Sequence, residues 1–403
     1  MLTQAEKDFV QSNLHGEVSA LALQLGRFPD LNARLILQQI AGYQSIEHKI
    51  PSWYKQQDLL FPKNLSLEQC SSEATAKYKY QLVLGLSEIR SMADLTGGFG
   101  VDCYFLAKGV DKALYVERQE ELCQLAENNF KVLGLPQIQF KLGNGVEVLK
   151  SFGSTCMNRP FDLIFLDPAR RDSKGGRVVA LSDCEPDLTL IKSLLLENAR
   201  YVLVKLSPML DIALAQKFLP ETVDIHVVSV DGECKELLFL LKSGPIAEEP
   251  EIHCTNLRTK DPDQLFTFKK SAEKTVECLY AENPEAFLFE PNASILKGGA
   301  FSVLTQAFDL RKLHPNSHLY TSNQYIPDFP GRVFCVESVF PFHSKDLKKH
   351  LGQVSKANIT VRNFPNTVAE IRKRTGLRDG GEIYLFATTL SDERKVLICC
   401  KKP

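Results

Sequence analysis

The residues whose types and spacing best suit chemistry lie in Asp94-Leu95-Thr96-Gly97-Gly98-Phe99-Gly100-Val101-Asp102. Residues 89–95 read as a short strand, and the apolar spacing of Val101, Phe105, Leu106 and Val110 reads as a helix after the turn. A glycine turn between strand and helix lets the backbone bend tightly and lets a ligand lie against it. The helix N-terminus then offers unpaired N–H groups to a polar ligand. Asp94, Thr96, Gly98 and Gly100 are therefore the first binding candidates. Glu117 closes the buried run Ala113-Leu114-Tyr115-Val116. A carboxylate roughly twenty positions beyond a glycine turn can accept from two ribose hydroxyls. Asn144, in Gly143-Asn144-Gly145, follows a strand-like run at residues 138–142 and carries an amide suited to an adenine edge. Residues 161–166, apolar except for Asp162, read as a buried strand that delivers Asp167, followed by Pro168-Ala169-Arg170-Arg171.

In this order the pieces resemble a class I S-adenosylmethionine-dependent methyltransferase. Asp94 to Gly100 matches the family's D-x-x-x-G-x-G motif, Glu117 its acidic second motif, and Asp167-Pro168 its fourth. Asn144 stands where aspartate is commoner. A dinucleotide-binding G-x-G-x-x-G is not present at this turn. The resemblance covers about residues 70 to 245. It implies S-adenosyl-L-methionine as cofactor and a Rossmann-like sheet of seven strands, the last antiparallel. It also implies an acceptor that meets the cofactor near Asp167.

Three acceptor chemistries are weighed against the residues. Exocyclic-amine methyltransferases resembling this one carry Asn/Asp-Pro-Pro-Tyr/Phe; here Asp167-Pro168 remains and the aromatic residue is missing. C5-uridine methyltransferases carry D-P-P-R and a cysteine nucleophile after the next strand, where this chain reads Lys205-Leu206-Ser207-Pro208. Leucine at the cysteine position argues against a covalent route. Ribose 2′-O-methyltransferases use a Lys-Asp-Lys-Glu set, which Lys77 or Lys79, Asp167, Lys205 and Glu236 resemble. Asp167 and Lys205 are thus the catalytic candidates, and the amine is favoured over the ribose hydroxyl. Arg170, Arg171, Lys174 and Arg177 make a basic loop beside Asp167 that suits phosphate contacts.

The elements that must position these residues follow from the rest of the chain. At 403 residues, with 44% hydrophobic and 24% charged residues, the chain is an ordinary globular protein of several domains. Residues 1–75 read as a helical region, with Trp53, the single tryptophan, as a core anchor. A helix is expected from residue 73 towards 86, capped by Ser71 or Ser72; the same polar stretch also suits a lid over the cofactor. Residues 76–245 alternate strand and helix, which predicts an α/β domain with a mostly parallel sheet. Ligands bind such sheets at the C-terminal strand edge, where Gly98, Glu117, Asn144 and Asp167 fall. A proline- and glycine-containing acidic stretch at 243–251 marks a boundary. Beyond it, residues 250–335 and 336–403 read as small α+β modules, with one helix expected over 295–308.

Residues 340–403 hold 13 Lys and Arg against 6 Asp and Glu, a net of +7, whereas the remaining 339 residues carry 35 against 43, a net of −8. A basic module on an acidic body suits a polyanion partner. Its helices, small sheet and Arg372-Lys373-Arg374 resemble a THUMP-like module, preceded by a ferredoxin-like segment at 250–335. True THUMP domains bind the acceptor end of transfer RNA. The resulting expectation is a methyltransferase acting on structured RNA such as tRNA or rRNA, with Arg170, Arg171, Arg372, Lys373 and Arg374 as RNA contacts. A small-molecule or protein methyltransferase, and a non-catalytic RNA-binding protein retaining the fold, stay open. No metal site and no membrane span are expected, and the unpatterned 11 cysteines and absent signal peptide predict a cytoplasmic protein.

Overall fold

The computed structural model describes residues 2–62, 64–152, 159–170, 181–343, 347–352 and 354–403. Arg171, Lys174, Arg177 and Lys345 lie outside the described residues, and nothing is described of the side chains of Arg170, Lys348 and Lys349. The chain divides into two compact units, Met1–Val223 with Leu237–Glu248, and Asp224–Glu236 with Glu249–Pro403.

In the first unit, β1 (Ser91–Asp94), β2 (Lys112–Glu117), β3 (Ile138–Leu142), β4 (Phe161–Leu166) and β5 (Ala199–Leu206) are parallel, in the order β3-β2-β1-β4-β5. Crossover helices at Val101–Ala107, Glu120–Val132, Gly145–Lys150 and Leu188–Asn198 separate them, as parallel pairing requires. Their near-continuous apolar sequences reflect coverage on both faces: Leu163, Ile164, Val202, Leu203 and Val204 are fully buried. β6 (Thr222–Val230) follows, and the chain passes into the second unit within it. β7 (Glu233–Lys242) returns to the first unit and pairs antiparallel with β5. This is the Rossmann-like α/β class expected from the alternation, with an antiparallel final strand.

The N-terminal helices belong to the same compact unit. The apolar run over residues 9–25 is two helices, Gln4–Ser12 and Val18–Leu25, separated near Gly16, where a Cβ would meet Leu21 Cδ1 at 2.8 Å. Trp53 is fully buried in the short helix Pro51–Tyr54, with its ring 5.3 Å from both Phe99 and Tyr104. Phe61 also meets Phe99, at 5.9 Å. Buried Asn129 clasps Leu60 through both backbone groups, each at 2.8 Å. The helical region is thereby welded to the glycine turn through Phe99.

In the second unit, Glu251–Leu257 lies parallel to β6, and Gln264–Lys269 lies antiparallel to Glu251–Leu257. A further seven-stranded sheet takes in Phe287–Pro291, Gly331–Pro341, Asn358–Arg362, Tyr384–Thr389 and Lys395–Lys401. Gly331–Pro341 pairs with Phe287–Pro291 through its first half and with Lys395–Lys401 through its second, so residues 287–401 form one sheet. Leu347–Leu351 and Val368–Thr375 are helices as the pattern predicts, packed with Phe340, Leu385 and Leu397 into one core. The single helix expected over 295–308 is instead two, Ala293–Gly298 and Val303–Ala307. Gly299 ends the first in the left-handed region at φ 78°, where glycine carries no steric penalty.

Trp53→Ala should remove the anchor of the helical region. A buried tryptophan truncation costs roughly 3–5 kcal/mol. Urea denaturation should show a loss of that size in the transition of the first unit; a change under about 0.5 kcal/mol, the range of an ordinary surface substitution, would show that the helices are not part of that core.

Candidate functional site

The site is assembled at the C-terminal ends of β1, β2, β4 and β5, all within the first unit. Gly98 at φ 57° and Gly100 at φ 89° occupy the left-handed region. Glycine serves two purposes here. A Cβ on Gly97 would fall 2.2 Å from the Tyr115 ring, and one on Gly100 2.7 Å from Phe130. A Cβ on Gly98 would meet only Thr96 O, at an ordinary 3.8 Å, so at that position the φ and not crowding demands glycine. Glu117, 7% exposed, braces the turn: its Oε2 accepts from Gly98 N at 2.8 Å and its Oε1 from Gln119 N at 2.8 Å. Tyr115 donates its hydroxyl to Gly98 O at 2.6 Å. Each carboxylate oxygen retains a second acceptor position.

Asp94 is buried at the end of β1, and its Oδ1 accepts from Thr96 N at 2.9 Å. Thr96 Oγ1 accepts from Asp167 N at 2.7 Å, tying the end of β1 to the end of β4. Burial pushes the Asp94 carboxyl up to about 8, and the nearby Asp102, Asp167 and Glu117 charges act in the same direction.

Lys205 Nζ donates to Asp167 Oδ2, which connects the two catalytic candidates directly. It also lies 3.7 Å from Asp102 Oδ2. Asp102 was not singled out from the sequence as a site residue. Its Oδ1 is 3.1 Å from Nζ of Lys79, a lysine with 0% side-chain exposure, and Ser71 Oγ donates to Oδ2 at 2.6 Å. Burial opposes ionisation of Asp102, but the Lys79 and Lys205 ammoniums and the Ser71 hydroxyl hold its carboxyl below the ordinary value. Lys77, the other lysine considered, pairs with Glu73 on the helix surface. The buried spacing Ala76, Lys79, Val83 was the available signal: a lysine on the apolar stripe of Glu73–Leu84 requires a buried counter-charge. Cys70 is within electrostatic reach of Asp102 and Lys205, and burial raises its thiol above the ordinary value.

The remaining expected residues are dispersed. Ser72 caps Glu73–Leu84, accepting from Thr75 N at 3.3 Å, so Ser71 is freed for Asp102. Asn144 caps Gly145–Lys150; its Oδ1 accepts from Val146 N and Glu147 N at 2.9 and 3.3 Å. Ala169–Arg170 forms a two-residue ladder with Cys184–Glu185. Glu236 is buried in the second unit. In the same unit, Arg372 pairs with Asp379 and donates to Ala357 O and Leu377 O at 3.4 and 3.5 Å, bracing its own helix end. Arg374 lies over the Phe342 ring at 4.5 Å, and Lys373 is exposed. Among the described residues, no cluster of three or more His, Cys, Asp or Glu could hold a metal ion, and no helix is long and apolar enough to cross a membrane.

The raised Asp94 carboxyl has a definite sign in pH dependence. With an unfolded value near 3.9 and a folded value of about 8, the folded chain holds the extra proton between them. The associated stability is complete below about pH 4 and is lost as pH rises through about 8. Asp94→Asn, which keeps the shape and stays neutral, should flatten this part of the urea-stability profile relative to wild type; parallel profiles across that window would reject the buried neutral acid.

Comparison with known proteins places the chain. A family described as "THUMP domain-like" matches residues 331–402, and one described as a "ferredoxin-like domain" matches residues 287–330. No curated protein matches the chain. The crystal structure of a "putative methyltransferase" from Porphyromonas gingivalis W83 is similar over 100% of both chains, with 33% identity and a TM-score of 0.87. A "putative RNA methyltransferase" from Pyrococcus horikoshii aligns over 48% of this chain and 97% of its own, with 16% identity and a TM-score of 0.35. An O-methyltransferase from Streptomyces achromogenes involved in tomaymycin synthesis, solved with SAM, aligns over 43% and 82%, with 15% identity and a TM-score of 0.34. These two are too distant to bear on substrate. The full-length match and the two module matches show that the chain belongs to the family of the Porphyromonas gingivalis protein, a class I S-adenosylmethionine-dependent methyltransferase fold joined to ferredoxin-like and THUMP-like modules.

Proposed function

We propose that this protein binds S-adenosyl-L-methionine at the Gly98 turn and methylates RNA, at a base exocyclic amine. The observation that carries the reading is the convergence of Glu117 on Gly98 and of Lys205 on Asp167 along one sheet edge. The residues present suit the cofactor. An uncrowded Gly98 leaves room for a ligand against the backbone, Glu117 offers acceptor positions to a ribose, and the Glu117 and Asp167 carboxylates favour a cationic group nearby. The cofactor supplies a methyl group on a cationic sulfur, open to in-line displacement. The chain's task is then to position the acceptor.

In this reading Asp167 accepts hydrogen bonds from the substrate amine and frees its lone pair for the methyl group. Lys205 orients the Asp167 carboxylate. An ammonium paired with two carboxylates has no lone pair to take a proton, which favours the amine over a ribose hydroxyl that needs a base. The excess proton of the methylated amine leaves through Asp167 to solvent. RNA is supported by the match to the THUMP-like module and by the +7 balance of residues 340–403. Arg170, Arg171 and Lys373 are further candidates for backbone contact, and the soluble cytoplasm is the proposed compartment.

Labelled methyl transfer to total RNA, abolished by ribonuclease, is the expected result for wild type; label retained on protein or small molecules would move the assignment to those acceptors. Glu117→Ala should weaken cofactor binding about ten- to hundred-fold by calorimetry, as for a lost hydrogen bond to a charged group. Lys205→Met separates the mechanisms. A rate loss under about ten-fold fits the amine, whereas a loss of about 10²–10⁴ with methylated ribose as product identifies Lys205 as a general base.

A further inference from the structure

The second unit contains a cavity of about 480 Å³. Among its lining residues are four cations, Arg258, Arg332, Arg362 and Lys402, and two carboxylates, Asp231 and Glu290. The carboxylates are already committed. Asp231 accepts from Thr259 N at 3.0 Å and from the Thr259 hydroxyl. Glu290, with 3% side-chain exposure, receives Arg332 on Oε2 and Arg362 on Oε1, each guanidinium using Nε and Nη2.

One cation suffices to neutralise a buried carboxylate. Two leave a net positive charge, and here both arginine side chains stay partly exposed, Arg332 at 52% and Arg362 at 38%. Glu290 therefore acts as a buried post that fixes two arginines beside each other without satisfying their combined charge. Arg332 is braced further by the Phe334 ring at 5.3 Å. The lining amides are internally matched: Gln264 Oε1 accepts from both Asn256 Nδ2 and Asn292 Nδ2, and Gln264 Nε2 donates to Gly331 O at 2.7 Å. They build the wall; Arg258 is paired with Asp261, which leaves Arg332, Arg362 and Lys402 to meet a ligand. Paired, pre-positioned guanidiniums match the oxygens of a phosphate better than lysines on mobile stems do.

We propose that this cavity is a phosphate-binding site for the RNA substrate, with Arg332 and Arg362 as an anion clamp set by Glu290 and with Lys402 as a third cation. The inference rests on the RNA reading above and deepens it. It assigns the principal polyanion contact to the strand surface formed by residues 290, 332, 362 and 402, with Lys373 as an accessory contact.

The test uses the full-length protein and a fluorescent single-stranded RNA oligonucleotide, titrated at several salt concentrations. Lys402→Ala leaves no buried charge behind. The triple variant Glu290→Gln, Arg332→Gln, Arg362→Gln removes the clamp together with its carboxylate, so no orphaned ion is buried. Calorimetry with S-adenosylmethionine reports that the first unit is intact in each, and circular dichroism that the second is folded. Each lost phosphate contact should reduce the slope of log affinity against log salt by about 0.7. Affinity at low salt should fall about three- to ten-fold for Lys402→Ala and further for the triple variant, on the order expected for lost phosphate contacts. Wild-type affinity and slope in both variants would overturn the site. If inorganic phosphate displaces the RNA as well as an unlabelled oligonucleotide does, the cavity is a free-phosphate site and the RNA assignment falls. Labelled methyl transfer is measured in parallel. Variant-sensitive RNA binding without any wild-type methyl transfer supports the cavity and sinks only the catalytic reading.

Discussion

The buried charge of Asp102 is the constraint on which the candidate site depends. A carboxylate at that depth must be paired, and breaking such a pair by removing one partner costs roughly 3–5 kcal/mol. Asp102 meets the requirement with groups from three directions: Lys79 from the helix Glu73–Leu84, Lys205 from β5, and Ser71 from the segment before that helix. Satisfying one ion therefore aligns a helix, a strand end and a loop against the glycine turn. Lys205 then carries the constraint outward to Asp167, the residue nearest the expected chemistry. Two ammoniums and two carboxylates make the cluster neutral as a whole, which is how so many charges persist at a mostly buried edge.

The glycine turn is held in a complementary way. Glu117 and Tyr115 grip Gly98 from its two backbone groups, while Gly97 and Gly100 lie hard against the Tyr115 and Phe130 rings. The loop is thus preorganised from the protein side, and ordering it on ligand binding carries little entropic cost. The aromatic chain from Trp53 through Phe99 to Tyr104 transmits the same rigidity into the N-terminal helices. The segment before Glu73–Leu84 contributes Ser71 and that helix contributes Lys79, so the helices belong to the site as much as the sheet does.

The second unit repeats the device with a different charge sum. Glu290, like Asp102, is a buried carboxylate that sets two cations. Asp102 and Asp167 together balance Lys79 and Lys205, whereas Glu290 stands alone against two guanidiniums. The first arrangement makes a neutral, positioned cluster suited to orienting a reacting group. The second makes a fixed surplus of positive charge suited to a polyanion. The same local physics, a buried acid demanding cations, yields a neutral cluster in one case and a surplus of positive charge in the other.

Much of this was written in local sequence. The strand–glycine–helix order, the alternation over 76–245 and the helices Leu347–Leu351 and Val368–Thr375 follow from periodicity, which depends only on neighbouring residues. The break at Gly299 was also local but was masked by an apolar run continuing on both sides. Side-chain assignments were legible only where position along the sheet decides them: Glu117 and Asp167 end parallel strands, and parallel strands share one ligand edge. Asn144 shows the boundary of that logic, since its place at a strand end fits a ligand contact and a helix cap equally, and the cap geometry was decided by the following turn. Asp102 and Lys79, or Glu290, Arg332 and Arg362, are separated by 23, 42 and 72 positions along the chain. No local pattern pairs such residues. Only burial, which makes an unpaired charge prohibitively costly, selects their partners, and burial is a property of the folded chain.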